Sequence, residues 1–171
     1  MRMFRVFLPT RAAMRVLAID PGYDRLGIAV VEGDVSRPTL LWSACVETIQ
    51  GKQERRLAEV SRAIQEAISV YTPDAVGIET LFFGVNKKTA LGVAQARGAI
   101  LATAGLSALP IIECSPQQIK LAVTGYGGAD KRAVATMIPK LLMLPIKKRL
   151  DDELDAIAIG ITTLAFGALR H

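Results

Sequence analysis

Histidine is almost missing from this chain: a single residue, His171, stands at the end of a sequence of 171. A histidine-based catalytic triad or a histidine-ligated metal is therefore nearly excluded. Cysteine is scarce as well. Cys45 and Cys114 lie far apart in apolar, strand-like stretches without a CxxC spacing, so they make neither a zinc site nor a disulfide framework, and both are expected as buried, reduced thiols. No run is long and apolar enough to span a bilayer, and the uncharged stretch 6–10 is too short for the apolar region of a signal peptide. Internal repeats and low-complexity segments are absent too. What remains is a cytoplasmic protein whose acid–base or metal chemistry must come from carboxylates and lysines.

Hydrophobic residues make up 51% of the chain and charged residues 22%, which suits one domain with a full core. We place that domain at 14–171, with 1–13 as a leader outside it. Lys and Arg number 21 against 16 Asp and Glu, a net charge of +5. A basic balance favours an anionic partner, most commonly nucleic acid. Beside a carboxylate metal site it gains weight, because a nuclease needs both.

Short apolar runs predict strands at 15–20, 26–32 and 39–49, an antiparallel meander. The segment 53–71 changes to helical period, with Leu57, Val60, Ile64, Ala67, Ile68 and Tyr71 on one face. A short apolar strand at 75–79 follows, then a helix at 86–105 rich in alanine and glycine, and a strand at 110–114. Ser115 and Pro116 suit the N-cap and first position of a short helix. A loop over 125–130 leads to helices at 131–144 and 151–169. The order βββαβαβααα describes an α/β domain, a five-stranded mixed sheet flanked by helices.

Asp20 and Glu79 each end a short apolar strand, which places both at one sheet edge if the strands are neighbours. Asp152 and Asp155, three apart in the first turn of the last helix, share a face. Acids crowded in this way repel unless a cation neutralises them, and hard oxygen donors select magnesium or manganese. Taken singly, Asp20 in Asp-Pro-Gly also reads as a turn starter, Glu79 as a solvated strand end, and the acids at 151–155 as complements to the helix dipole. Together, in a basic chain, they read as a metal site.

Four stretches resemble the RuvC Holliday-junction resolvases, of ribonuclease H-like fold: Ala18-Ile-Asp20-Pro-Gly22 with Gly27; Ile78-Glu79-Thr-Leu-Phe82, followed by Asn86 and by 90–98; Gln118-Ile-Lys120 with Thr124, Gly125 and 129–131; and Asp152-Glu-Leu-Asp155 with the apolar residues after it. The resemblance covers nearly everything from Met14 onward, in family order and spacing. It implies a homodimer that nicks two opposing strands of four-way junction DNA symmetrically, leaving 5′-phosphate and 3′-hydroxyl ends. It also implies two Mg2+ ions per site, with Mn2+ able to substitute, held by Asp20, Glu79, Asp152 and Asp155. By the same resemblance Phe82 contacts unpaired bases and Lys120 and Lys131 lie near the scissile phosphate. Arg97, Lys87, Lys88 and the basic run 147–149 are candidate phosphate contacts, and the RuvA–RuvB branch-migration complex is an implied partner. Tyr126 and Gly128 depart from the asparagine and arginine more usual in the family, Leu154 from an alanine, and Asp151 adds an acid that competes with Asp152. Other readings of the same residues are a ribonuclease H or ribosomal-RNA-processing nuclease, a junction-binding protein without cleavage, and an ATPase of the actin or sugar-kinase type, for which the chain is short.

Overall fold

The computed structural model describes residues 13–22, 24–34, 36–48, 51–80, 87–144 and 149–167, the side chains of 87–89 and 167 excepted. Nearly all of the expected leader, 1–12, therefore lies outside the described residues. Strands β1 (Met14–Pro21), β2 (Arg25–Gly33) and β3 (Thr39–Glu47) form the antiparallel meander. After helix α1 (Gln53–Tyr71), strand β4 (Ala75–Glu79) pairs in parallel with β1, and after α2 (Lys87–Leu106), β5 (Ile111–Cys114) pairs in parallel with β4. Helices α3 (Pro116–Thr124), α4 (Lys131–Leu141) and α5 (Asp151–Gly167) complete the expected order, and the sheet runs β3-β2-β1-β4-β5.

Strands β1, β2 and β4 are buried on both faces, and their parity sorts the core into two layers. Val16 and Ala18 pack with Ala29, Val31, Ile157 and Ile159 under α3, α4 and α5. Leu17 and Ile19 pack with Ile28, Ile64, Ile78 and Ile100 under α1 and α2. The same alternation turns Asp20 and Glu79, in step with Ala18 and Gly77, toward α5.

Helix α5 lies unusually close to the sheet, and three glycines permit it. A Cβ on Gly27 would collide with the Asp152 carbonyl, one on Gly77 with the Thr163 hydroxyl, and one on Gly160 with the Val31 side chain. Main chain thus meets main chain where the first turn of α5 crosses β2. That turn is also latched to β3: Ser43 Oγ donates to Glu153 Oε1 at 2.6 Å, and Arg149 Nε pairs with the same oxygen at 3.3 Å.

Local capping follows the sequence. Ser115 and Gln118 form a capping box with Pro116 at the start of α3, and Asp130 caps α4 by accepting from the Ala133 amide at 2.7 Å. Lys131 is in consequence held at the first position of its helix. Helix α4 stops at Leu141, short of the expected 144, with Met143 in a left-handed conformation (φ 50°) just beyond it. Among the described residues no helix is long and apolar enough to cross a membrane.

Candidate active site

Register sets Asp20 and Glu79 side by side. Ile19 faces Ile78 in the β1–β4 ladder, so the next residues along, the two acids, are neighbours at the carboxyl ends of adjacent parallel strands. The first turn of α5 adds Asp152 and Asp155 above them. Burial and then the negative charges of Asp155, Glu79 and Asp152 push the Asp20 carboxyl up to about 7, with Lys131 opposing. Burial, then Asp155, raises the Glu79 carboxyl. Asp155 is raised by burial although Lys131 works the other way. The four acids expected from the sequence are thus electrostatic neighbours.

Two cations stand among them. Lys131 Nζ donates to Asp155 Oδ2 at 2.9 Å and lies 3.6 Å from Asp151 Oδ2. Burial works to lower the Lys131 ammonium, but the hydrogen bond and charge of Asp155, with Asp151 and Asp20, outweigh it and raise its pKa. Arg25 Nε lies 3.2 Å from Asp152 Oδ2, and Cys45 Sγ approaches that same oxygen at 3.9 Å. A small cavity opens beside the acids, lined by Glu79, Asp155, Lys120 and Lys131 over an apolar floor that includes Ile119 and Val134.

Among the described residues no three acidic, histidine or cysteine side chains are already closed into a cage for an ion. The side-chain partners explain this, since Asp152 is turned to Arg25 and Asp155 to Lys131. The donor set still fits a hard divalent cation. It is all oxygen, partly desolvated and self-repelling, and a bound cation relieves that repulsion. Asp152 is among the charges felt by Asp20, whereas Asp151 is exposed and meets the group through Lys131 and Asp155.

The family model for Crossover junction endodeoxyribonuclease RuvC matches residues 16–163. A relative of that description from Moorella thermoacetica is 40% identical over 159 residues, which is 92% of this chain and 95% of the relative. The chain belongs to the RuvC family. With membership comes metal-dependent endodeoxyribonuclease activity. A second relative of the same description, from Syntrophomonas wolfei, is 39% identical over 152 residues, 88% of each chain. Thermus thermophilus RuvC in complex with a Holliday junction substrate superposes with a TM-score of 0.86 at 32% identity, covering 91% of this chain and 96% of that one. The five-stranded mixed sheet is accordingly the ribonuclease H-like fold of RuvC proteins.

Of the DNA-facing residues expected of a RuvC protein, Lys120 and Lys131 line the cavity. Phe82, Lys147 and Lys148 lie outside the described residues, as do the side chains of Lys87 and Lys88. Arg97 requires a correction. Its side chain is only 10% exposed; Nη1 donates to the Glu79 carbonyl at 2.6 Å and Nη2 pairs with Glu113 Oε2 at 2.8 Å. A guanidinium committed in this way is not at the surface for a phosphate. Cys45 is also not buried as expected, but half-buried beside Asp152; Cys114 is buried.

The two departures in the α3–α4 loop prove to be one. A Cβ at Gly128 would meet Tyr126 Oη at 2.6 Å, so the tyrosine ring lies where an arginine at 128 would begin. Sequence reading missed Arg25, Ser43 and Glu153 as neighbours of the acids, because nothing in their spacing announces that β2, β3 and α5 meet there.

Proposed function

We propose that this chain resolves four-way DNA junctions by symmetric paired nicks, leaving 5′-phosphate and 3′-hydroxyl ends, in the cytoplasm and as a homodimer. The observation that carries the reading is the set of mutually repelling carboxylates around Asp20, beside a cavity lined by two lysines. Asp20, Glu79, Asp152 and Asp155 would hold two Mg2+ ions, or Mn2+ in their place. Divalent ions held there supply an activated water and stabilise the leaving 3′ oxygen. Lys120 and Lys131 meet the scissile phosphate with positive charge, and Lys131 neutralises Asp155 until the strand arrives. Phe82, which matches the aromatic of the family motif, stacks on bases freed at the crossover. Helix α2 supports the dimer: Leu91 is 70% exposed, and space is open beside Gly98 and Gly105. The RuvA–RuvB complex is the partner that the family implies.

Cleavage of a mobile four-way junction with Mg2+, with product ends mapped on all four strands, tests this reading. Paired nicks at symmetric positions are expected, and preferential cutting of an RNA–DNA hybrid would overturn it. Asp20→Asn should bind the junction as the unaltered protein does while losing nicking by at least about a hundredfold. Sedimentation without DNA tests the dimer, and a monomer at micromolar concentration would remove that part.

A further inference from the structure

The buried guanidinium of Arg97 sits at the end of β4, where the sheet cannot complete itself. In the parallel β1–β4 ladder, Leu17 faces Val76 and Ile19 faces Ile78, while the amides of Val76 and Thr80 turn the other way, to carbonyls of Pro110 and Cys114. Alternation therefore points the Glu79 carbonyl at β1, and the next donor in line there belongs to residue 21. That residue is Pro21, which has no N–H. Arg97 Nη1, arriving from α2 on the opposite face of the sheet, donates to this carbonyl at 2.6 Å instead.

The second arm of the guanidinium explains why an arginine stands there. Glu113 on β5 faces Ile78, beside Glu79, and its Oε2 lies 2.8 Å from Arg97 Nη2. One rigid planar group thus ties α2 to the last residue of β4 and to its neighbour on β5. A charge this buried is costly unless paired, and both of its pairings are spent on the strand end that carries Glu79. The Glu79 side chain leaves the sheet on the other face, toward Asp20 and Asp155, and its direction depends on the main chain that Arg97 holds.

We propose that Arg97 is a positioning residue: by replacing the donor that Pro21 withholds and by pairing with Glu113, it fixes the end of β4 and so aims the Glu79 carboxylate at the metal site. This rests on the reading of Glu79 as a metal-binding carboxylate. The test uses the whole, DNA-free chain with Mn2+ as probe, its affinity measured by titration calorimetry, and junction binding without metal measured alongside. Arg97→Gln should weaken Mn2+ binding about tenfold, within the range for groups that orient metal ligands, with metal-free junction binding retained. Arg97→Lys and Glu113→Gln should each weaken it less, in the same direction. Pro21→Ala in the Arg97→Gln background returns an N–H to the Glu79 carbonyl and should recover part of the affinity. If Arg97→Gln does not fold, Arg97→Lys and Glu113→Gln decide. Unchanged Mn2+ affinity in the folded variants, with Glu79→Gln impaired, overturns the positioning role. Unchanged affinity in Glu79→Gln itself shows instead that Glu79 is not a ligand, and both readings fall. Weakened junction binding with intact Mn2+ affinity returns Arg97 to a phosphate contact and likewise overturns the proposal.

Discussion

Asp20 shows how a single residue ties folding to the charge gathered at the site. Its carboxyl titrates at about 7 in the fold against an ordinary 3.8, so the folded chain holds this proton more tightly than the unfolded chain does. Stability of the metal-free protein should therefore fall as pH rises through the window from about 4 to about 7, because ionising Asp20, buried and then surrounded by like charges, costs more in the fold. The melting temperature of metal-free protein is expected to decline across that window more steeply than that of Asp20→Asn. Saturating Mg2+ should flatten the difference by compensating the ionised group. Parallel pH profiles for the two proteins would count against the assignment. Arg25 and Lys131 are the molecule's own partial compensation, each committed to a different carboxylate.

At the scale of elements, the site forms where the first turn of α5, crossing β2, comes beside the ends of β1 and β4, and what makes the crossing close is the absence of side chains. Gly27→Ala would drive a Cβ into the Asp152 main chain, which can yield only if the helix start moves. The variant should lose about 1–3 kcal/mol in denaturant unfolding, as for other overpacked sites, and lose nicking out of proportion to that loss. Activity retained at the level of the unaltered protein would show that the first turn of α5 is not what sets the site. Much of this arrangement was legible beforehand: Asp20 and Glu79 each end an apolar run, which puts both at one sheet edge once the strands are neighbours, as β1 and β4 are. The inward turn of Arg97 was not legible. Helix α2 carries small and apolar residues on every side, so its pattern does not say which face a lone arginine takes. Nor does the gap left by Pro21 exist until the β1–β4 register is known. Between Asp151 and Asp152 the family spacing favoured Asp152; the rotation of α5 adds that Asp152 is among the charges felt by Asp20, while Asp151 is exposed.

Across the whole molecule, charge is divided by place rather than merely in excess. A net charge of +5 coexists with an acid cluster of five carboxylates at 20, 79, 151, 152 and 155, so the remaining surface is more basic than the total suggests. On the proposed function, DNA would be drawn by that remainder and would reach the acids past Lys120 and Lys131, which line the cavity beside them. Junction binding should weaken as salt rises, and Lys120→Ala should lower the slope of log affinity against log salt by about 1 if the lysine meets a phosphate. An unchanged slope would leave Lys120 as a wall of the cavity only.

The close seating of α5 has a consequence for metal choice. Magnesium tolerates little variation in oxygen distance, whereas calcium accepts a wide range. Where two acids ride on strands and two on a helix, the gap between the pairs is set by how near main chain lies to main chain, and so by Gly27, Gly77 and the Val31–Gly160 contact. With the ions held by these acids as proposed, discrimination between a small and a large divalent ion would be a property of the packed interior. A core substitution at Val31, whose side chain lies where a Cβ on Gly160 would stand, would be felt at the site as a change of caliper.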